Sequence, residues 1–266
     1  MDAAFDVRFT ISPGIGRVIE AYDNGRLDEL VPEMGEVAVH LLRTWWPLGR
    51  MTAVRFTGDI WGPADEATIL AQAEKADLGK GTNVLDIACG IGGPGRILAR
   101  HYGCKVTGVD IDAGTIEVAT GLARLEGLTD LVSYQLADKA LLPFPDNAFD
   151  VVWGRGGWGP ADASRDTWRE ALRVVRSGGQ VLATSGADLL PFLTGMGFAE
   201  VTFFSYYREE RRRNLRKFLR ALEVNQDEII TRTGQKNYDE WYQQKSEQLA
   251  QALRPDFSAG VLLALK

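Results

Sequence analysis

The sequence has 266 residues, of which 45% are hydrophobic and 25% are charged, and its formal net charge is −6. This composition is typical of a soluble globular protein with one large or two smaller domains, and it excludes disordered and fibrous chains. The acidic balance disfavours a nucleic-acid partner, because nucleic-acid-binding proteins generally present a basic surface to the phosphates.

Targeting and metal-binding signals are absent from the sequence. No apolar run approaches the roughly 18 residues that span a bilayer, and the acidic start MDAAFDVRFT lacks the layout of a secretory signal. We therefore expect a cytoplasmic protein with no membrane partner. Two cysteines, Cys89 and Cys104, and two histidines, His40 and His101, are too few for a zinc site. No metal site is expected, although a magnesium site made of carboxylates alone stays open.

The first part of the chain, residues 1–76, is predicted to be mainly helical, with turns at 12–14, 46–47 and 61–63. From Asn83 onward, short apolar runs alternate with amphipathic stretches, a rhythm that predicts a mostly parallel sheet covered by helices on both faces. The predicted strands of this region are 84–87, 105–110, 131–137, 149–154 and 180–185, and the predicted helices are 92–101, 113–127 and 166–176. Ser177-Gly178-Gly179 is predicted to end the last of these helices.

The remaining elements are less regular. We predict a short helix over 187–198, a strand over 199–207, and a charged helical segment over 208–254 that breaks near Thr233-Gly234. The basic run within it, REERRRNLRKFLR at 208–220, is interpreted as a solvated helical face. A last strand, 257–266, suggests that the helical segment is inserted between two neighbouring strands. The predicted domains are 1–76, a core over 77–207, a helical cap over 208–254 and a final core strand over 255–266.

A glycine turn links the first predicted strand to its helix. Residues 83–101 read NVLDIACGIGGPGRILARH, in which Gly90, Gly92 and Gly95 satisfy the dinucleotide pattern G-x-G-x-x-G. Such a turn lets a ligand approach the backbone at a helix N-terminus. Asp86, just upstream, would repel a pyrophosphate but would attract the ammonium of S-adenosylmethionine, with backbone groups at Ala88, Gly90 and Gly92 serving its carboxylate and ribose.

Four ordered motifs resemble those of class I S-adenosylmethionine-dependent methyltransferases, over about residues 77–206. They are DIACGIGG at 86–93, GVDID at 108–112, ADKALLPFPDNAFDVV at 137–152 and LRVVRSGGQVLATS at 172–185. Ala88 stands where that family usually has its first glycine. The resemblance implies a doubly wound, Rossmann-like, mostly parallel seven-stranded α/β sheet with an antiparallel last strand, plus a helical N-terminal segment and a helical cap insertion.

The same resemblance assigns cofactor contacts beyond the glycine turn. It implies that Asp110 accepts from ribose hydroxyls, a position that would equally suit a nicotinamide cofactor. It implies that Asp138 accepts from the adenine amino group, with Ile111 and Lys139 flanking the ring, although Asp138 could instead cap a turn. Trp153, at the end of the fourth predicted strand, completes the set of expected cofactor-binding residues.

The acceptor site is expected beyond the fourth strand, where the sequence reads VVWGRGGWGP. Many relatives carry a histidine there, and here Arg155 and Trp158 take its place. Arg155 could pair with an acceptor carboxylate or phosphate, or it could be a solvent-facing loop residue. We expect Trp61, Trp158, Tyr238 and Trp241 to contribute to the acceptor site, with packing as the alternative for the two cap aromatics, Tyr238 and Trp241.

No general base is evident. Methyl transfer from a sulfonium is an in-line displacement that depends mainly on orientation and exclusion of water. His40 and Arg155 are the candidate catalytic residues, and for His40, on the apolar stretch VAVHLLRTWW, packing is the alternative. The sequence thus predicts methylation of a small molecule, with nitrogen favoured over oxygen or carbon. An NAD(P)-dependent oxidoreductase and a non-catalytic S-adenosylmethionine-binding protein remain as alternatives, and the oligomeric state is unknown.

Overall fold

The computed structural model describes residues 11–45, 66–156, 158, 165–205 and 207–266. The chain divides into two compact units. The core unit consists of residues 66–208 and 258–266, and the helical unit consists of the described residues within 1–65 together with 209–257. Among the described helices, none combines the length and apolarity that crossing a membrane requires.

The core unit contains the sheet. Its strands are β1 (Asn83–Ile87), β2 (Lys105–Asp110), β3 (Val132–Leu136), β4 (Phe149–Gly154), β5 (Val175–Ser185), β6 (Glu200–Phe204) and β7 (Gly260–Leu265). Within the described residues these seven strands form one sheet in the order β3-β2-β1-β4-β5-β7-β6. The first five pair in parallel, and β7 runs antiparallel to both β5 and β6. The predicted fold class, including the antiparallel last strand, is confirmed.

The described helices precede the strands and alternate with them along the chain. They are α1 (Pro13–Asp23), α2 (Val31–Met34), α3 (Glu36–Trp45), α4 (Glu66–Ala73), α5 (Gly93–Tyr102), α6 (Ala113–Leu125), α7 (Arg165–Val174), α8 (Leu190–Thr194), α9 (Tyr207–Val224), α10 (Gln226–Thr233) and α11 (Gln235–Leu253), with 3₁₀ turns at Leu27–Leu30 and Ala187–Leu189. The segment from α9 to α11 lies between β6 and β7, which are neighbours in the sheet, as the predicted insertion requires.

The two faces of the sheet carry different residues because side chains alternate along each strand. Leu85, Val152 and Val181 lie on one face, in a core cluster that also contains Trp168 of α7. Asp86 is in register with Gly108 of β2 and with Trp153 of β4, so these residues share the opposite face. That face is where α5 approaches, since a Cβ on Gly95 would lie 3.4 Å from Asp86 Oδ2.

Helix α7 ends earlier than the glycine pair predicts. The helix stops at Val174, and Val175 already pairs with Phe149 of β4 before an irregularity in the ladder. Val175 is fully buried, so β pairing of a β-branched residue overrides the helical periodicity that reaches Arg176. The prediction that Ser177-Gly178-Gly179 ends the helix is therefore wrong.

The boundary between the units lies at Glu66. Helix α4 belongs to the core unit, where it packs against α5 and where Glu66 lies 3.9 Å from Arg100. In the helical unit, the inserted helices and the N-terminal helices belong together, and Arg232 of α10 pairs with Asp23 of α1 at 3.3 Å. The predicted break at Gly234 is present, and a second break occurs at Asn225.

Candidate functional site

The loop between β1 and α5 follows a left-handed backbone path. Ala88 has φ 58°, Gly90 has φ 56° and Gly92 has φ 78°. Glycine adopts such values freely, whereas an L residue pays roughly 1–2 kcal/mol. Ala88 therefore occupies a strained position, which accounts for glycine being the usual residue there in the motif that the sequence resembles.

Tyr134 of β3 holds the end of this loop. Its hydroxyl donates to the Gly92 carbonyl oxygen at 3.1 Å. A Cβ on Gly92 would lie 2.1 Å from that hydroxyl oxygen, so a side chain cannot be added without displacing the tyrosine. A Cβ on Gly108 would lie 2.5 Å from the same ring. Two glycines thus make room for the tyrosine that supports the loop.

Asp86 is buried beneath the loop with an unsatisfied carboxylate. Its residue exposure is 2%, and its Oδ2 makes no hydrogen bond to the part of the chain that the structure describes. Burial is the main reason that the pKa of Asp86 rises to about 8, and the negative charge of Asp110 adds to the rise. The backbone N–H of Gly95 lowers this pKa in part. A buried carboxylate oxygen without a hydrogen bond is costly, and a ligand cation would relieve that cost.

Asp110 ends β2 and organises the loop from the other side. Its Oδ2 accepts from the Gly90 amide at 3.0 Å, and its Oδ1 accepts from the Asp112 amide at 3.1 Å. The Gly92 amide donates to the Cys89 carbonyl oxygen at 3.0 Å. The N–H groups of Gly90 and Gly92 therefore already donate within the protein, and the expectation that backbone groups around Ala88, Gly90 and Gly92 serve the ligand's carboxylate and ribose stays a prediction.

A cavity of about 160 Å³ opens at the carboxyl ends of β1, β2 and β3. Five of its lining residues are predicted cofactor contacts: Ala88, Asp110, Ile111, Asp138 and Lys139. The lining also includes Val109 and Ala137, which the sequence does not predict as contacts. A cavity of ~150 Å³ takes up benzene, so this one accommodates a planar ring. Ile111 is 74% exposed and forms an apolar wall at the cavity mouth.

Asp138 caps a turn with one carboxylate oxygen and can accept a ligand hydrogen bond with the other. Its Oδ1 accepts from the Ala140 amide at 2.9 Å, which is the turn-capping contact that the sequence leaves open as an alternative. Within the described residues, no donor reaches its Oδ2. The turn fixes the carboxylate at the cavity wall and leaves one oxygen for a ring amino group.

The structure at the carboxyl end of β4 differs from the prediction made from the sequence. Trp153 is 1% exposed, and the described residues offer its Nε1 no acceptor. Arg155 is half-buried and already interacts with another group of the protein. Trp158 is 2% exposed and its ring packs against Trp168, with 4.5 Å between centroids. Core packing accounts for Trp158, and this geometry does not support the prediction that it contacts a substrate.

The remaining predicted residues lie in the helical unit or outside the described residues. His40 is exposed on α3, whose inward face is formed by Ala38, Val39 and Leu42, so the packing alternative for His40 is wrong. Tyr238 is 6% exposed in an apolar cluster of the helical unit, and Trp241 packs against that cluster. Trp61 lies outside the described residues.

Sequence reasoning missed a buried charge network behind the loop. Arg96 of α5 is fully buried, donates from Nη1 to the Ile91 carbonyl oxygen, and pairs through Nε with Glu126 at 3.1 Å. Glu126, which caps the end of α6, also accepts from Arg100 at 3.0 Å. The only sequence signal was two arginines four residues apart on an otherwise apolar helix, which gave no indication of a distant partner.

Metal and thiol chemistry find no support in this part of the molecule. Among the described residues, no group of three or more His, Cys, Asp or Glu is arranged to hold a metal ion. Cys89 is buried near Asp86 and Asp110, and burial together with these two carboxylates raises its pKa. The Cys89 thiol therefore stays protonated and serves as a packing group.

The chain is similar to known proteins in both sequence and structure. Residues 85–183 match a family described as "Methyltransferase domain". The chain is 39% identical over 108 residues to methyltransferase GfsG of Streptomyces halstedii, covering 41% of this chain and 39% of that protein. It is 29% identical over 208 residues to a glycine/sarcosine/dimethylglycine N-methyltransferase of Actinopolyspora halophila, covering 69% and 36%. The chain thus spans well under half the length of these two relatives.

Solved structures share the fold. A Haemonchus contortus phosphoethanolamine N-methyltransferase 2, titled as a complex with phosphomonomethylethanolamine and S-adenosylhomocysteine, superposes with a TM-score of 0.69 at 20% identity, over 87% of this chain and 60% of that chain. The [4+2]-cyclase SpnF superposes with a TM-score of 0.61 at 24% identity, over 75% and 79%. Because one of these neighbours is titled a cyclase, the fold alone does not fix the reaction.

Proposed function

We propose that this chain, whose residues 85–183 match a methyltransferase domain, is a class I S-adenosylmethionine-dependent methyltransferase that methylates a small-molecule acceptor. S-adenosylmethionine, when bound, supplies the electrophilic methyl group. The protein's own residues hold the cofactor, orient the acceptor for in-line attack and exclude water.

The observation that carries this proposal is the buried, unsatisfied carboxylate of Asp86. A dinucleotide would place its phosphates beside the buried carboxyl group of Asp86, whose charged form would repel them. An amino-acid ammonium would instead give Asp86 Oδ2 the donor that it lacks. The residues present therefore fit S-adenosylmethionine and fit a diphosphate poorly.

The other ends of the cofactor have matching groups. The cavity between Ile111 and Asp138 suits the adenine ring, with Asp138 Oδ2 as the acceptor for its amino group. Asp110, at the strand end between this cavity and Asp86, suits the ribose hydroxyls. With the Gly90 and Gly92 amides engaged, the indole N–H of Trp153, in register with Asp86, is the donor that we assign to the cofactor carboxylate.

The acceptor is proposed to be a small amine. The relative from Actinopolyspora halophila is named for N-methylation of glycine-derived amines, and it matches over 69% of this chain. An amine has to arrive only unprotonated, so nitrogen methylation is consistent with a site that offers no evident general base. Arg155 remains the candidate for binding an acceptor carboxylate or phosphate.

Two other functions differ from this one in cofactor binding and in turnover. A non-catalytic cofactor-binding protein would bind S-adenosylmethionine without turnover, and an oxidoreductase would bind NADH. Incubation with methyl-labelled S-adenosylmethionine and a panel of glycine-derived and ethanolamine-derived amines should transfer label to at least one amine. Binding of the cofactor with no transfer to any amine, alcohol or extract would favour the non-catalytic function.

A further inference from the structure

The glycine loop is held at two consecutive carbonyl groups by side chains from outside it. Tyr134 of β3 donates to the Gly92 carbonyl oxygen, and Arg96 of α5 donates to the Ile91 carbonyl oxygen. The three loop residues with positive φ, Ala88, Gly90 and Gly92, all lie within four residues of the two held carbonyl groups along the chain.

Arg96 is an unusual residue for this task. It is fully buried, and its partner Glu126 has only 2% of its side chain exposed. A buried ion pair is often no more stabilising than apolar side chains of the same size, because both charges must be desolvated. Stability alone therefore does not explain an arginine at this position. A need for a planar donor that binds Glu126 and a loop carbonyl group at the same time does explain it.

We propose that Arg96, held by Glu126, is a positioning residue that sets the loop conformation required for cofactor binding. Glu126 fixes the guanidinium from the end of α6, and the guanidinium fixes Ile91. The loop then keeps the path on which the Gly90 amide reaches Asp110 and the Asp86 carboxylate stays open to a ligand. The cofactor part of this inference rests on the proposed function, and the loop part does not.

The test is a double substitution, Arg96→Met with Glu126→Met. It removes the loop anchor and both buried charges together, so no charge is left buried without a partner and the fold should be retained. Arg100→Met is the matched control, because Arg100 also pairs with Glu126 but, at 34% side-chain exposure, makes no contact with the loop among the described residues. Arg96→Lys serves as a second variant if the double one fails to fold.

Two measurements distinguish the effect on loop conformation from the effect on cofactor affinity. Amide hydrogen exchange of residues 88–93 in the ligand-free protein should become faster in the double variant and stay unchanged in Arg100→Met. Affinity for S-adenosylhomocysteine should fall about tenfold or more in the double variant, which is what loss of a preformed site costs, and by less than about twofold in the control.

The proposal is overturned if the folded double variant keeps wild-type exchange in the loop, or if its loop loosens and its affinity does not change. Wild-type protein that fails to bind S-adenosylhomocysteine would refute the proposed function instead. In that case the exchange data alone decide whether Arg96 sets the loop conformation.

Discussion

Asp86 is subject to two opposing demands at the scale of a single residue. Burial and the charge of Asp110 favour its protonated form, whereas a cationic ligand needs the carboxylate. The protein keeps this carboxyl group under the loop without giving its Oδ2 a hydrogen bond from the described residues. A cost of this kind at a strand end is typical of a binding site, where stability is given up for affinity.

Cofactor affinity should depend on pH through Asp86. With a ligand-free pKa of about 8, Asp86 must lose a proton before it can pair with an ammonium. The affinity for S-adenosylhomocysteine should therefore rise by up to about tenfold per pH unit between about pH 6 and 7.5. Titration calorimetry measures this directly. Asp86→Asn should abolish the rise, and a flat profile in the wild-type protein would contradict the account.

Stability should show the opposite dependence on pH. The folded pKa of Asp86 is raised from 3.8 to about 8, so between these values the folded state binds a proton that the unfolded state does not. The contribution of Asp86 to stability is present at low pH and is lost as pH rises through about 8. Ligand-free Asp86→Asn should thus gain stability relative to wild type between pH 6 and 8.5, as measured by urea unfolding. If the difference in unfolding free energy between the variant and wild type stays constant across this pH range, the burial assigned to Asp86 is contradicted.

At the same scale, the sequence predicted the acidic residues of the site but not their supports. Asp86, Asp110 and Asp138 could be found because each stands on or just after a parallel strand, and such strands end at one edge of a sheet. The Arg96–Glu126 pair joins residues on two different helices, so no local pattern reveals it. Which acceptors the Gly90 and Gly92 N–H groups donate to depends on the backbone geometry of the loop, and the spacing of glycines in the sequence does not give that geometry.

At the scale of elements, the segment from β4 to α7 changes role between sequence and structure. The sequence predicts that Trp158 contributes to the acceptor site, yet Trp158 packs against Trp168 in the core. Alternation along β4 predicts which residues are buried but not whether an aromatic side chain after the strand turns inward. Val175 illustrates the same limit, since its pairing with Phe149 ends α7 early.

Packing of Trp158 predicts a large loss of stability on truncation. Trp158→Ala should lower the free energy of unfolding by about 3–5 kcal/mol, the usual cost of removing a buried tryptophan. Urea unfolding provides the measurement, and Trp168→Ala, a core residue on α7, is the comparison. The affinity of the folded variant for S-adenosylhomocysteine should change little. A variant with wild-type stability and lost acceptor turnover would restore the substrate role of Trp158.

At the scale of the whole molecule, the chain builds one unit from two distant segments. The described residues before 66 and the insertion between β6 and β7 form the helical unit, in which Asp23 of α1 pairs with Arg232 of α10. Helical periodicity predicted the existence of these helices, because it reports which faces are apolar. It could not predict which helices share a unit, because that depends on contacts far apart in sequence.

The central claim is that the glycine loop binds a cationic amino-acid nucleoside and not a diphosphate. The most direct test is titration calorimetry at pH 8 with S-adenosylmethionine and NADH, on wild type and Asp86→Asn. Wild type should bind S-adenosylmethionine with a dissociation constant between about 1 µM and 1 mM and give no heat with NADH. The variant should bind about tenfold more weakly or worse, because it loses a charge-assisted hydrogen bond. Binding of NADH without S-adenosylmethionine, or equal affinity in the variant, would contradict the claim.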